Sequence, residues 1–137
     1  MIFGTLSTAA SGLHVFRTWM DAVSDNVANL DTVRPTSENA FQERFVVAQS
    51  TGSPDAAVTG AAAGAAITGV TLGDPAGRLV HDPGHPLADA DGMVRYPTVD
   101  LGEQMTQMMV AQRGYQANLS VIDRARDAYL AALSLGR

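Results

Sequence analysis

The sequence predicts a mainly α protein with a small β insert, in which long N- and C-terminal helices pair as an antiparallel coiled coil around a β-rich middle segment. Three observations carry this. Apolar residues recur in steps of three, four and seven at both ends of the chain, the period of a single helix face. Turn formers and short β-branched runs are concentrated in the middle of the chain. The 137 residues, 46% hydrophobic, suffice for one modest core rather than two. Residues 1–33 and 99–137 read as one discontinuous helical domain and 34–98 as the insert, with a flexible Ala/Gly loop near 50–65.

In the first element, Ile2, Leu6, Ala9, Leu13, Phe16, Met20, Val23, Val27 and Leu30 keep an unbroken a/d heptad spacing. This predicts a helix from about Phe3 to about Asn29. Gly12 weakens such a helix by about 1 kcal/mol relative to Ala, so either a neighbouring backbone comes close there or the cost is simply tolerated. Asn26 and Asn29 stand where the pattern ends. Their short amides suit a helix stop, with a dedicated binding role as the alternative.

A turn region through Arg34-Pro35 to Asn39 leads into the insert. Phe41–Ala48, with Phe41, Phe45, Val46 and Val47, predicts a strand, and Ile67–Leu72 a second. Between them residues 49–64 are Ser, Thr, Gly, Ala and Pro in low-complexity mixture, too poor in large side chains to order themselves. After the Gly73-Asp74-Pro75 turn, Leu79–His81 and Met93–Tyr96 predict two short strands divided by a turn-rich linker beginning His81-Asp82-Pro83-Gly84.

The last element, Val99–Gly136, carries a seam of Leu101, Met105, Met108, Tyr115, Leu119, Ile122, Tyr129 and Leu133, interrupted only by Gln112 and Arg126. Asp100 with Glu103 predicts its N-terminal cap, Pro97 precedes it, and Gly136 supplies the stop. At 1.5 Å per residue it would reach on the order of 50 Å, more than a compact domain of this mass needs. The seams of the two helices are expected to meet within the chain. Off-seam residues remain: Met109, Val110, Val121, Leu130 and Leu135 in the last helix, and Phe3, Val15 and Trp19 in the first. A lone helix pair would leave them in water, so copies or partners are expected to cover them, with the helical ends ordering fully only when so packed.

Composition excludes several functions. All nine basic residues are Arg, scattered along a chain of net charge −5, so no basic stripe exists to neutralise phosphates and nucleic acid is not an expected partner. The charge-free run after Asp55 is too weakly apolar to span a bilayer, and the N-terminal pattern is a face broken by His14, Arg17, Asp21 and Asp25 rather than a signal peptide. Without cysteine there is no disulfide frame and no thiolate site. His81, Asp82, His85, Asp89 and Asp91 are chemically suitable metal ligands, but Pro83, Gly84 and Pro86 deny them a helix face that would gather the imidazoles. Asp89-Ala90-Asp91-Gly92 has only part of a calcium loop. No nucleophile elbow, phosphate loop or dinucleotide fingerprint is present, so neither a catalytic centre nor a cofactor or metal site is expected.

Three separated motifs carry a resemblance. Ala9-Ala10-Ser11-Gly12-Leu13 followed by Met20–Asn29 resembles the N-terminal signature of the bacterial flagellar axial proteins of rod, hook and hook-filament junction. Leu79–Val94 with Tyr96–Asp100 is similar to the segment typical of one short rod member, and Met105–Leu119, containing Arg113-Gly114-Tyr115-Gln116-Ala117-Asn118, resembles the C-terminal signature. Trp19 is bulky for its place, and Val33-Arg34-Pro35 stands where Gly and an aromatic residue often follow the Asn motif. The resemblance implies a structural, non-enzymatic subunit of the basal-body rod, exported by the flagellar type III apparatus and bound to other rod proteins and the basal-body base. On that reading Leu6, Leu13, Phe16, Met20, Val23, Val27 and Leu30 form the intramolecular seam with the C-terminal row. Trp19, Asn26, Asn29, Met109, Val110, Gln112, Gln116, Asn118 and Val121 would be subunit contacts. Another axial rod protein, or a soluble helical adaptor that binds one partner helix, is the alternative.

Overall fold

The computed structural model describes residues 2–52 and 63–136. Helix α1 runs Ile2–Ala28, strands β1 to β4 run Arg44–Ser50, Ala65–Leu72, Arg78–His81 and Met93–Tyr96, and helix α2 runs Leu101–Leu135. The expected architecture of two long terminal helices and a small β middle is what forms. The Ala/Gly loop expected near 50–65 falls largely on residues 53–62, outside those described, as do the side chains of Ile2 and Phe3.

Both helix boundaries have local causes. At the end of α1 the Asn29 amide donates to the Asp25 carbonyl at 2.8 Å and its oxygen accepts from the Thr32 hydroxyl at 3.1 Å. The first adds a side-chain donor to a carbonyl that already accepts the Asn29 N–H at 3.2 Å, and the second holds the amide in place as the helix ends. No non-glycine residue among those described takes a positive φ, so Asn29 acts through its side chain and not through a left-handed backbone. At the start of α2 the Asp100 carboxylate accepts the Glu103 N–H at 2.7 Å, the expected N-cap. Glu103 accepts from the Gln107 side chain at 3.2 Å, one turn further into the helix.

The strands form two two-stranded sheets, β1 with β2 and β3 with β4. β1 begins three residues later than the apolar run at Phe41 predicts. The hairpin β3–β4 is antiparallel, pairing Arg78 with Tyr96 and His81 with Met93, and Arg34 adds a bridge to the free edge of β4 through two 2.9 Å backbone bonds with Arg95. Two turns need glycine: Gly77 (φ 59°) and Gly92 (φ 70°) take left-handed angles. Beside Gly92 the Asp89 carboxylate accepts the N–H groups of Asp91 at 3.0 Å and Met93 at 2.9 Å and the Thr36 hydroxyl at 2.8 Å. Bonds from the Met93 N–H first, and from Thr36 and Asp91, hold this carboxyl below its ordinary value. Asp89, one of the three carboxylates of the linker that suggested a metal, is thus the organiser of its turn, and among the described residues no three metal-ligating side chains converge.

The chain divides into two compact units, one of residues 1–20, 47–69 and 109–137, the other of residues 21–46 and 70–108. No helix among the described residues is long and apolar enough to cross a membrane.

Candidate assembly surface

In the first unit α1 and α2 run side by side in opposite directions, and glycines let them approach. A Cβ built on Gly12 would lie 2.8 Å from Asn118 Oδ1, and one on Gly114 would overlap the Phe16 ring. The Asn118 amide donates to the Gly114 carbonyl at 2.9 Å, and the Trp19 ring stacks on Phe16 at 6.2 Å and 20°. The start of β2 is tied to α1 by hydroxyls: Thr8 donates to the Ala63 carbonyl at 2.5 Å and Ser11 accepts the Ala65 N–H at 3.1 Å.

In the second unit two amides are buried along with Val23, Ala40, Val94 and Pro97. Asn26 and Gln104 are both 0% exposed. The Asn26 amide donates to Gln104 Oε1 at 3.0 Å and to the Arg44 carbonyl at 3.1 Å, while Asn26 Oδ1 accepts the Arg44 N–H at 2.8 Å. Gln104 in turn donates to Glu43 Oε1 at 2.5 Å, and Arg44 pairs with Asp25 at 2.6 Å. This network joins the end of α1, the start of β1 and the start of α2, and it sets where β1 begins, since the first strand residue has its backbone groups claimed by a side chain. Burial pushes the Glu43 carboxyl up, opposed by the bond from Gln104 and reinforced by the charge of Glu103.

Of the residues expected on the intramolecular seam, Val23 is buried and Leu6, Leu13, Phe16, Met20, Leu30, Met108, Tyr115 and Ile122 are half-buried. Leu101, Met105, Leu119, Tyr129 and Leu133 are 44–58% exposed, and Val27 also faces out. The side of α2 turned into the chain instead carries Gln104, Ala111, Asn118 and Ala125, seven apart, of which Ala111 is 0% exposed. Hydropathy is blind to that stripe because its members are small or polar; their strict spacing is the signal that could have found it. Among the expected subunit contacts, Met109, Val110, Gln112, Gln116 and Val121 are exposed. Trp19, Asn29 and Asn118 are half-buried, and Asn26 is closed within its own chain by the amide network.

The outer face of α2 therefore leaves Leu101, Met105, Met109, Leu119, Leu130 and Leu133 exposed along a 35-residue helix, interrupted in its middle by Gln112, Gln116, Asp123 and Arg126. Such a face, over a scaffold without gathered chemistry among the described residues, is what a helical packing subunit presents. Comparison with known proteins gives the class. Residues 6–36 match the family described as flagella basal body rod protein, and residues 90–135 match the C-terminal region of the flagellar basal body rod FlgEFG proteins.

Individual relatives narrow this to one rod protein. The chain is 35% identical to the flagellar basal-body rod protein FlgC of Escherichia coli O6:H1 over 94% of its own length and 93% of the relative's. It is 31% identical to FlgC of Bacillus subtilis over 98% of both chains, and 28% identical to FlgC of Borreliella burgdorferi over 98% of its length and 97% of the relative's. The chain belongs to the FlgC family of flagellar basal-body rod proteins. It is accordingly a structural subunit of the bacterial flagellum, not an enzyme, and its place is the basal body.

Proposed function

We propose that this chain is a proximal-rod subunit whose α1 and α2 pair as an antiparallel coiled coil, and whose outer apolar positions pack on the helices of neighbouring rod subunits and the basal-body base. The helical ends act together as the rod-forming domain and residues 34–98 as an insert carried on it. The observation that carries the reading is the exposed row on α2, since a helix holding Leu101, Met105, Met109, Leu119, Tyr129 and Leu133 at the surface exceeds what a monomer keeps in water. Leu13, Phe16, Met20, Val23, Met108, Tyr115 and Ile122 supply the intramolecular seam. Leu101, Met105, Met109, Val110, Gln112, Gln116, Leu119 and Val121 supply the contacts between subunits. Export through the flagellar type III apparatus is the route the family resemblance implies. Leu119→Asp puts an unpaired carboxylate into the proposed contact, and Leu13→Asp puts one into the seam. Each variant is expected to be made at normal levels yet be missing from isolated basal bodies, leaving cells non-motile. Normal swimming of both would contradict the proposal. A discrete soluble complex with one partner helix, without basal-body incorporation, would point to an adaptor instead.

A further inference from the structure

We infer that Gly12 and Gly114 are the register-determining positions of the α1–α2 pair, each a hole filled from the opposite helix, and that Trp19 is the positioning residue that keeps the aromatic filler in place. The holes and fillers alternate. Gly12 and Phe16 lie one turn apart on α1, Gly114 and Asn118 one turn apart on α2, and the pairs meet in reverse order, Gly12 with Asn118 and Gly114 with Phe16. Neither filler is free to move aside. The Asn118 amide is held by the Gly114 carbonyl at 2.9 Å, so its oxygen is fixed over the Gly12 site, 2.8 Å from where a Cβ would stand. Phe16 is backed by the Trp19 ring.

A slide by one helical turn, about 5.4 Å, would drive the Phe16 ring against Val110 or Asn118 and leave a glycine hole empty. A single side chain in a single hole fixes position only loosely, whereas two crossed pairs admit one register. The consequence reaches the surface, because register decides where along the helix pair Leu119 and the rest of the outer row stand. This inference rests on the packing of the first unit and not on the proximal-rod reading, so the two can fail separately.

Trp19 is the sole tryptophan of the chain, and its emission therefore reports the state of the lock. The test compares Gly114→Ala alone, combined with Phe16→Leu, and combined with Asn118→Ala, reading Trp19 emission and the helical melt of the purified chain and swimming of cells whose only copy is the variant. Gly114→Ala is expected to move the emission to longer wavelength, lower the melting temperature by about 5 °C, and impair swimming. Phe16→Leu, which trims the filler that the new methyl group displaces, is expected to restore at least half of each loss, and Asn118→Ala none. Gly114→Ala with emission and swimming both unchanged would overturn the inference, as would equal rescue by the two second-site changes. Should Gly114→Ala fail to fold, recovery by Phe16→Leu and not by Asn118→Ala supports the lock, and recovery by neither overturns it.

Discussion

The two faces of α2 differ in a direction opposite to that of an ordinary surface helix. The face turned into the chain is built on Gln104, Ala111, Gly114 and Asn118, joined by the half-buried Met108, Tyr115 and Ile122, while the face turned away carries Leu101, Met105, Met109, Leu119, Leu130 and Leu133. Burying a Leu or Met side chain stabilises by about 2 kcal/mol, so a helix serving only its own chain would turn the second face inward. The difference teaches that the two contacts serve separate ends. Small and amide side chains let two backbones come close in one register, and the large apolar ones remain for whatever covers the helix from outside.

The contrast breaks most readily at the two buried amides. Asn26→Ala removes both backbone partners of Arg44 and strands the Gln104 oxygen, and is expected to destabilise by about 2 kcal/mol. Gln104→Ala should cost a similar amount, and the double variant clearly less than the sum, because the two amides belong to one network; urea denaturation of the four forms measures all three values. Next comes the cap: Asp100→Ala is expected to cost about 1 kcal/mol by the same assay, with α2 fraying from its first turn. The outer face should behave in the opposite way. Met105→Ser and Leu119→Ser are expected to change the stability of the isolated chain by less than about 0.5 kcal/mol, yet to lower the amount recovered in basal bodies. A loss of stability there as large as at Asn26 would erase the distinction between the faces.

The smallest effects are in pH. The raised Glu43 carboxyl binds its proton more tightly in the folded chain than in the unfolded one. Its contribution to stability is therefore complete below its ordinary 4.5 and falls as pH rises through the higher folded value. Glu43→Gln is expected to flatten the melting temperature just above that pH. Asp89 has the opposite sign, its contribution being present above its ordinary 3.8 and lost as pH falls through the lower folded value. Asp89→Asn should remove that acid loss, as read by thermal melts between pH 2 and 4, a range chosen roughly from the ordinary carboxylate value.

Much of the architecture was legible because it depends on patterns that local chemistry writes directly. The heptads of α1, the Asp100 cap, the Gly73-Asp74-Pro75 turn and the turn-rich linker from His81 all announce elements that form. The assignment of faces was less legible for a physical reason. Hydrophobic periodicity reports which side of a helix avoids water and says nothing about which molecule covers it, so the row from Leu101 to Leu133 reads as an internal seam although its own chain leaves most of it exposed. Gln104 and Ala111 escaped notice since an amide does not register as apolar pattern, and Ala111, unlike Ala9, has larger apolar neighbours that define a different row. Gly12 did signal a close approach, but what approaches is the Asn118 side chain and not a backbone. Asn26 read as a helix stop or a contact; its burial depends on Gln104 and Arg44, distant in sequence, and no local rule reveals that.

The central claim, that the outer face of α2 is covered by neighbouring rod subunits, can be tested directly because the chain has no cysteine of its own. Single cysteines placed at Met105, Leu119 and Leu133, with Ala111 as the inward control, would be labelled with a maleimide in the purified subunit and in isolated basal bodies. The three outer positions are expected to react readily in the free subunit and to be protected in the basal body, with position 111 slow in both. Equal labelling of the outer positions in the two states would contradict the claim.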